Sequence, residues 1–298
     1  MKLKKTIYLS ITGMVLATIA YISSRGTFLK SYHQQMPVKF DISSTPIVDL
    51  EIDGNLYPIG MCIGYKFPMC LDKKIIENIS KKPNGRVEWK GSTGASFEGF
   101  SYIIPKVKVG DLLWTDVMTK EENEATIDSV SLWKSPNEAT TYDKYVGVLG
   151  RPFFEKYNIL LDFLHERVII SNDFKKLKKD GFDLEKMVKI PLEEGRGIIF
   201  NADTDLGVRH FEIDTGSTIN IVRTSLLQDK KCQREERGLD RFTTSKFVVN
   251  GNDFGEMVLY SYELPLELHE IEGTLGMSFL QNHAVYFDCK NKIIYINK

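Results

Sequence analysis

The sequence predicts a mostly β protein built as two repeated halves and preceded by an N-terminal transmembrane helix. Three observations carry that prediction. From Ile47 onward, short β-branched and aromatic runs are broken by Gly, Asn and Asp. Two stretches far apart in the chain match each other without a gap. An uncharged run follows a basic N-terminus.

Length and composition set the frame. At 298 residues the chain fits two units of about 100 to 200 residues each. The formal net charge of -1 gives no reason to expect nucleic acid or another polyanion as partner. Pro and Gly are not enriched and no tract is of low complexity, so the chain folds. Cys62, Cys70, Cys232 and Cys289 show no CxxC and no Cys/His ligand spacing, so neither a metal site nor a cofactor is predicted. In an oxidising compartment four cysteines allow two disulfides whose pairing the sequence does not determine; buried free thiols are the alternative.

Residues 1–25 form the membrane segment. Lys2, Lys4 and Lys5 precede the uncharged run from Thr6 to Ser24, which ends at Arg25. The run is about long enough to cross a bilayer as one helix. Its basic flank leaves the N-terminus in the cytoplasm and sends the rest across. A cleaved signal peptide is the alternative, but no clean A-x-A site is present and the apolar run is long. Residues 26–44 are read as a linker.

The first half spans 45–172. Ile47–Ile52 and Leu56–Ile63 flank Asp53-Gly54-Asn55, a favoured tight turn, and so form a hairpin. Tyr102–Val109, Val146–Leu149, Ile159–Phe163 and Val168–Ile170 are further strands, with Leu71–Ile79 and Thr224–Gln228 as short helices. The acidic, polar insertion from about Lys120 to Lys144 reads as a surface loop. Residues 173–187, rich in Lys and Asp, form a solvated linker, a reading preferred to a lipid-headgroup patch of Lys175, Lys176, Lys178 and Lys179. The second half is 188–298. Gly147, Leu149, Gly150, Phe153 and Asp162 fall opposite Gly273, Leu275, Gly276, Phe279 and Asp288. A weaker match sets Met61-Cys62-Ile63-Gly64-Tyr65 beside Ile213-Asp214-Thr215-Gly216-Ser217. Trp114, Tyr286 and Phe287 are read as core.

His210-Phe-Glu-Ile-Asp-Thr-Gly-Ser-Thr-Ile-Asn-Ile-Val, followed later by Gly273-Thr-Leu-Gly-Met-Ser-Phe-Leu, resembles the aspartic peptidases, both the retroviral type and the two-lobed pepsin type. The resemblance covers about residues 45 to 298 and rests on both motifs in this order. It implies two acid-protease-type β-barrel lobes with a cleft between them. It also implies a catalytic carboxylate at Asp214, with Thr215, Gly216, Ser217 and Thr218 supporting its loop. Gly216 permits the tight turn, and the hydroxyls can bond near the carboxylate and across to the partner lobe. In the family two such carboxylates share a proton, one acting as base on a water and the other as acid toward the peptide carbonyl.

The first half departs from that pattern. Cys62-Ile63-Gly64-Tyr65 stands where Asp-Thr-Gly-Ser is expected, so Gly64 alone survives. Asp53 belongs to a turn and Asp72 to a helix start, and neither replaces the lost acid. Cys62 as a nucleophile needs a lowered pKa, and no histidine spacing identifies a partner; a small side chain filling the old carboxylate space is the plainer reading. Gly91, Ser92, Thr93 and Gly94 resemble the tip of the family's flap, with Phe247–Asn252 as its counterpart in the second half. Three functions follow from the resemblance: an aspartic endopeptidase acting on extended polypeptide, a silent pseudo-peptidase binding a peptide or protein in the same cleft, and a homodimer pairing two Asp214 loops. The third competes with a covalently linked first lobe at an effective concentration of about millimolar.

Overall fold

The computed structural model describes residues 31–41, 43–79, 82–90, 96–122, 145–192, 198–235, 238–264 and 268–298. The predicted membrane run Thr6–Ser24 lies outside them, and no described helix is long and apolar enough to cross a membrane.

The first half contains β1 (His33–Pro37), β2 (Lys39–Phe40), β3 (Pro46–Ile52), β4 (Asn55–Cys62), β5 (Met69–Asp72), α1 (Lys73–Ile79), β6 (Gly85–Lys90), β7 (Ser96–Val109), β8 (Leu112–Glu122), β9 (Gly147–Gly150), α2 (Arg151–Lys156), β10 (Ile159–Asp162) and β11 (Arg167–Ser171). The chain continues through α3 (Phe174–Lys179) to β12 (Val188–Pro191), β13 (Ile199–Thr204), β14 (Gly207–Ile213), β15 (Ile221–Arg223), β16 (Gln233–Arg234) and β17 (Asp240–Thr244). It ends with β18 (Phe247–Val249), β19 (Asn252–Asp253), β20 (Met257–Tyr262), β21 (Gly273–Leu275), α4 (Met277–Leu280), β22 (Val285–Asp288) and β23 (Ile293–Ile296).

Among the described residues the strands form three sheets, and the fold is mostly β. One sheet, ordered β2-β3-β4-β9-β5-β8-β7-β6, closes on itself through a β3–β7 pairing. The second, β16-β17-β20-β15-β21-β14-β13-β18-β19, repeats the same plan. In each, a hairpin leads into the candidate loop: β4 runs parallel to β9 and β14 parallel to β21, with Cys62 opposite Gly150 and Ile213 opposite Leu275. The third sheet, β1-β11-β10-β22-β23-β12, takes three strands from each half and joins them where Ile159 faces Phe287. The β3–β4 turn is the one the sequence predicts: Asp53 and Gly54 have φ of 50° and 78°, the left-handed pair of a type I′ hairpin. Trp114, Tyr286 and Phe287 are buried, as expected.

Four segments differ from expectation. Part of the predicted linker 26–44 is strand: β1 pairs with β11, Gln35 opposite Ile169, and buries Met36. The sequence His-Gln-Gln-Met-Pro carries no alternation, and the waiting edge of β11 decides its conformation. The predicted linker 173–187 packs Leu177, Phe182, Leu184 and Met187 against Leu160 and Tyr286. Its Asp173 carboxylate caps α3 by accepting the N–H groups of Lys175 and Lys176, which leaves the four lysines exposed. In the predicted loop 120–144, Lys120 lies in β8 and is fully buried, its amine 3.6 Å from the Trp89 ring centroid and near the rings of Tyr65 and Phe67. Residues 123–144 lie outside the described residues. The predicted helix Leu71–Ile79 begins at Lys73 because Leu71 and Asp72 finish β5 beside β8.

Candidate functional site

Strand β14 delivers Asp214 to the junction between the halves, and the Asp214 N–H donates to Leu275 O at 3.0 Å. The loop then folds back: Ser217 N–H reaches Asp214 O at 3.2 Å, and Met277 N–H reaches Ser217 O at 2.7 Å. The Leu-Gly pair has a steric reason. A Cβ on Gly276 would strike the carbonyls of Ile219 and Ser217, and one on Gly150 would strike those of Phe67 and Tyr65. Each Gly therefore lets its strand lie directly against its own candidate loop.

Asp214 Oδ1 accepts three donors. They are the N–H of Gly216 at 2.8 Å, the N–H of Gly64 at 2.9 Å and the Cys62 thiol at 3.4 Å. Two of the three come from the other half. Thr215 crosses as well: its hydroxyl accepts Ile63 N–H at 3.1 Å and donates to Met61 O at 2.7 Å. Gly64 and Gly216 face the junction so closely that a Cβ on the first would strike the Asp214 carboxylate and one on the second the Cys62 sulfur. Ser217, expected to support the carboxylate, instead donates to Ile219 O at 2.7 Å within its own loop. Thr218 makes the second crossing, donating to Ser43 O at 3.0 Å.

Cys62 as a residue is only partly buried, but its thiol points inward onto Asp214. Desolvation first, then the negative charge of Asp214, pushes that thiol well above its ordinary range. It is a neutral donor, the opposite of the activated thiolate that nucleophilic catalysis requires. All four cysteines are free. Asp53 sits in the β3–β4 turn, and Asp72 caps α1 by accepting Lys74 N–H at 2.7 Å, so neither reaches the junction. A small pocket opens beside it, lined by Ser43, Thr45, Met61, Cys62, Tyr145 and Thr218 among others. Among the described residues, no group of His, Cys, Asp or Glu is arranged to hold a metal ion.

Sequence reasoning missed two residues here. Glu212, two positions before Asp214, is buried. Burial first and the Asp214 charge second push it up to about 7, against the lowering effect of Arg151 and Lys66. Arg151 sends Nη2 to Glu212 Oε2 at 3.4 Å and Nε to Ile63 O at 3.0 Å. The signal available was in the repeat: charges stand at 151 and 212, where the other half has Met277 and Gly60.

Gly91, Ser92, Thr93 and Gly94 lie outside the described residues. The strands that flank them pair with Trp89 opposite Phe97, and those rings stack at 5.9 Å. The expected counterpart Phe247–Asn252 is misplaced: Phe247 pairs with Thr204 at the turn end of the β13–β14 hairpin, opposite the end that carries Asp214. Its ring packs on Phe211 at 5.0 Å. The strand pair that occupies the place of β6–β7 in the second sheet is β16–β17.

The chain is similar in fold to the aspartic proteinase of Irpex lacteus, with a TM-score of 0.58 and 10% identity over 90% of this chain and 97% of that one. No family model matches the sequence. No curated protein matches it either.

Proposed function

We propose that this protein is an aspartic-peptidase-like polypeptide-binding protein, which holds an extended chain in the cleft between its halves, over the Asp214 loop, and hydrolyses it little or not at all. The observation that carries the reading is what faces Asp214, a protonated thiol in place of a second carboxyl group. Asp214 can still serve as acceptor or base. The matching acid is missing, because a thiol whose pKa is pushed up gives its proton to a leaving group poorly, and such assistance is typically worth about a hundred- to ten-thousand-fold.

Fluorescein-labelled casein, an unfolded polypeptide, tests this. At pH 3 to 6 the wild type should bind it, Asp214→Ala should weaken binding, and the two should release peptides at similarly low rates. Robust wild-type cleavage lost with Asp214→Ala contradicts the reading and points to a partner acid, from this chain or from a second copy in a homodimer.

We further place the two halves on the extracytoplasmic side of a membrane, tethered through Thr6–Ser24, on the basic flank and uncharged run of the sequence. External protease should digest them on intact cells, and their protection while the membrane stays sealed would reverse the topology.

A further inference from the structure

We propose that Arg151 and Glu212 are positioning residues for Asp214, an arginine–carboxyl pair spanning the two halves that holds the Ile63–Gly64 peptide so that its N–H points at the Asp214 carboxylate. The proposal rests on Asp214 being the working carboxylate of the site.

Ile63 C=O and Gly64 N–H belong to the same planar amide and point in opposite directions. The N–H donates to Asp214 Oδ1 at 2.9 Å, and the carbonyl accepts Arg151 Nε at 3.0 Å. A guanidinium on the carbonyl side fixes the plane and polarises the N–H on the other side. Arg151 is itself held at two further points. Its backbone N–H donates to Tyr65 O at 2.7 Å, which pins α2 under the Cys62–Tyr65 loop, and its Nη2 reaches Glu212 Oε2 at 3.4 Å in the other half. Glu212 therefore anchors the guanidinium, and Arg151 acts on Asp214 through the peptide.

The fold does not require this pair. The repeat places Met277 and Gly60 at the equivalent positions, and there the Gly216 N–H reaches Asp214 Oδ1 at 2.8 Å within its own loop, whereas the Gly64 N–H has to cross from the other half. Arg151 stands behind the first-half loop, which has lost its own carboxylate and threonine, and Glu212 anchors it from the intact half. They restrain a loop that can no longer make the reciprocal contacts Thr215 makes.

The groups facing Glu212 are the Asp214 carboxylate on its own chain segment, Arg151 from α2, Lys66 from the first-half loop and the neutral Cys62 thiol. Its midpoint near 7 leaves the pair ionic above that pH and Glu212 neutral below it. Because the site holds that proton where an unfolded chain has already lost it, the folded state is favoured as pH falls from about 7 toward the ordinary glutamate range.

The test uses the full-length chain in detergent and needs neither a polypeptide ligand nor turnover. Two readouts are followed: labelling of Cys62 by dithiodipyridine, mapped by mass spectrometry, and titration of Glu212 by carboxyl-13C NMR, its signal assigned by loss in Glu212→Gln. Arg151→Met should speed Cys62 labelling about tenfold or more, the loss of a hydrogen bond from a charged donor, while buried Cys70 stays protected. Arg151→Lys should restore part of the protection. The Glu212 midpoint should rise in Arg151→Met and fall in Asp214→Asn, since Arg151 lowers it and Asp214 raises it. Unchanged Cys62 labelling, equal acceleration at Cys70, or midpoints that fail to move in opposite directions would overturn the proposal. If Arg151→Met does not fold, Arg151→Lys and Asp214→Asn decide it. Failed casein binding with these shifts intact would count against the binding reading alone.

Discussion

Replacing Cys62 with Asp and Ile63 with Thr together should convert the protein into a measurable acid peptidase, raising casein cleavage below pH 6 by about a hundred- to ten-thousand-fold. The Cys62 sulfur lies 3.4 Å from Asp214 Oδ1, so a carboxyl group there stands within reach of Asp214. Two carboxylates at that range resist double ionisation; one pKa rises and the pair holds the proton that catalysis needs. The second substitution supplies the missing crossing. Thr215 accepts Ile63 N–H and donates to Met61 O, and by the same repeat a threonine at 63 would accept Thr215 N–H and donate to Ile213 O. Asp214→Ala in the double variant should return turnover to background. A folded double variant with no gain would show that the first-half loop does not present residue 62 to the scissile bond.

The second large effect concerns stability. Thr215→Val keeps shape and volume but removes one hydroxyl that serves two buried backbone groups of the other half, Ile63 N–H and Met61 O. Thr215 and Ile63 are almost wholly buried, so water cannot replace it. Each stranded polar group costs about 1–3 kcal/mol. Urea unfolding should therefore show a loss of about 2–6 kcal/mol, and Asp214-dependent casein binding should weaken with it, because the same crossing sets the Gly64 N–H against Asp214. A loss under about 0.5 kcal/mol, the scale of an ordinary surface change, would mean that the loops are not joined through Thr215.

Much of this was legible in the residues, and the physical reasons can be named. The Asp53-Gly54 turn and the Leu-Gly pairs could be read because each is a backbone requirement that few residues meet: two left-handed φ values in the first case, and carbonyls where a Cβ would sit in the second. Asp214 was readable because its loop combines a turn glycine with a crossing threonine. What was hidden depends on partners distant in the chain. His33–Pro37 becomes a strand only because β11 offers an edge, and residues 173–187 are folded by apolar side chains that a count of lysines and aspartates conceals. Lys120 is charged in composition and buried among aromatic rings in fact. Arg151 and Glu212 lie in runs that read as a turn and a hydrophobic strand, and they acquire meaning only when the two halves meet.

The most direct measurement is a crosslink between the two loops. If the first-half loop presents position 62 to Asp214, a cysteine introduced by Asp214→Cys comes within disulfide reach of Cys62, although 152 residues separate the two in sequence. Mild oxidation of the purified Asp214→Cys protein, followed by peptide mapping, should yield an intramolecular disulfide between positions 62 and 214 in a monomeric species. A position 214 that stays reduced, or that bonds to position 214 of a second copy, would contradict the placement of the Cys62 thiol where a second carboxyl group would stand.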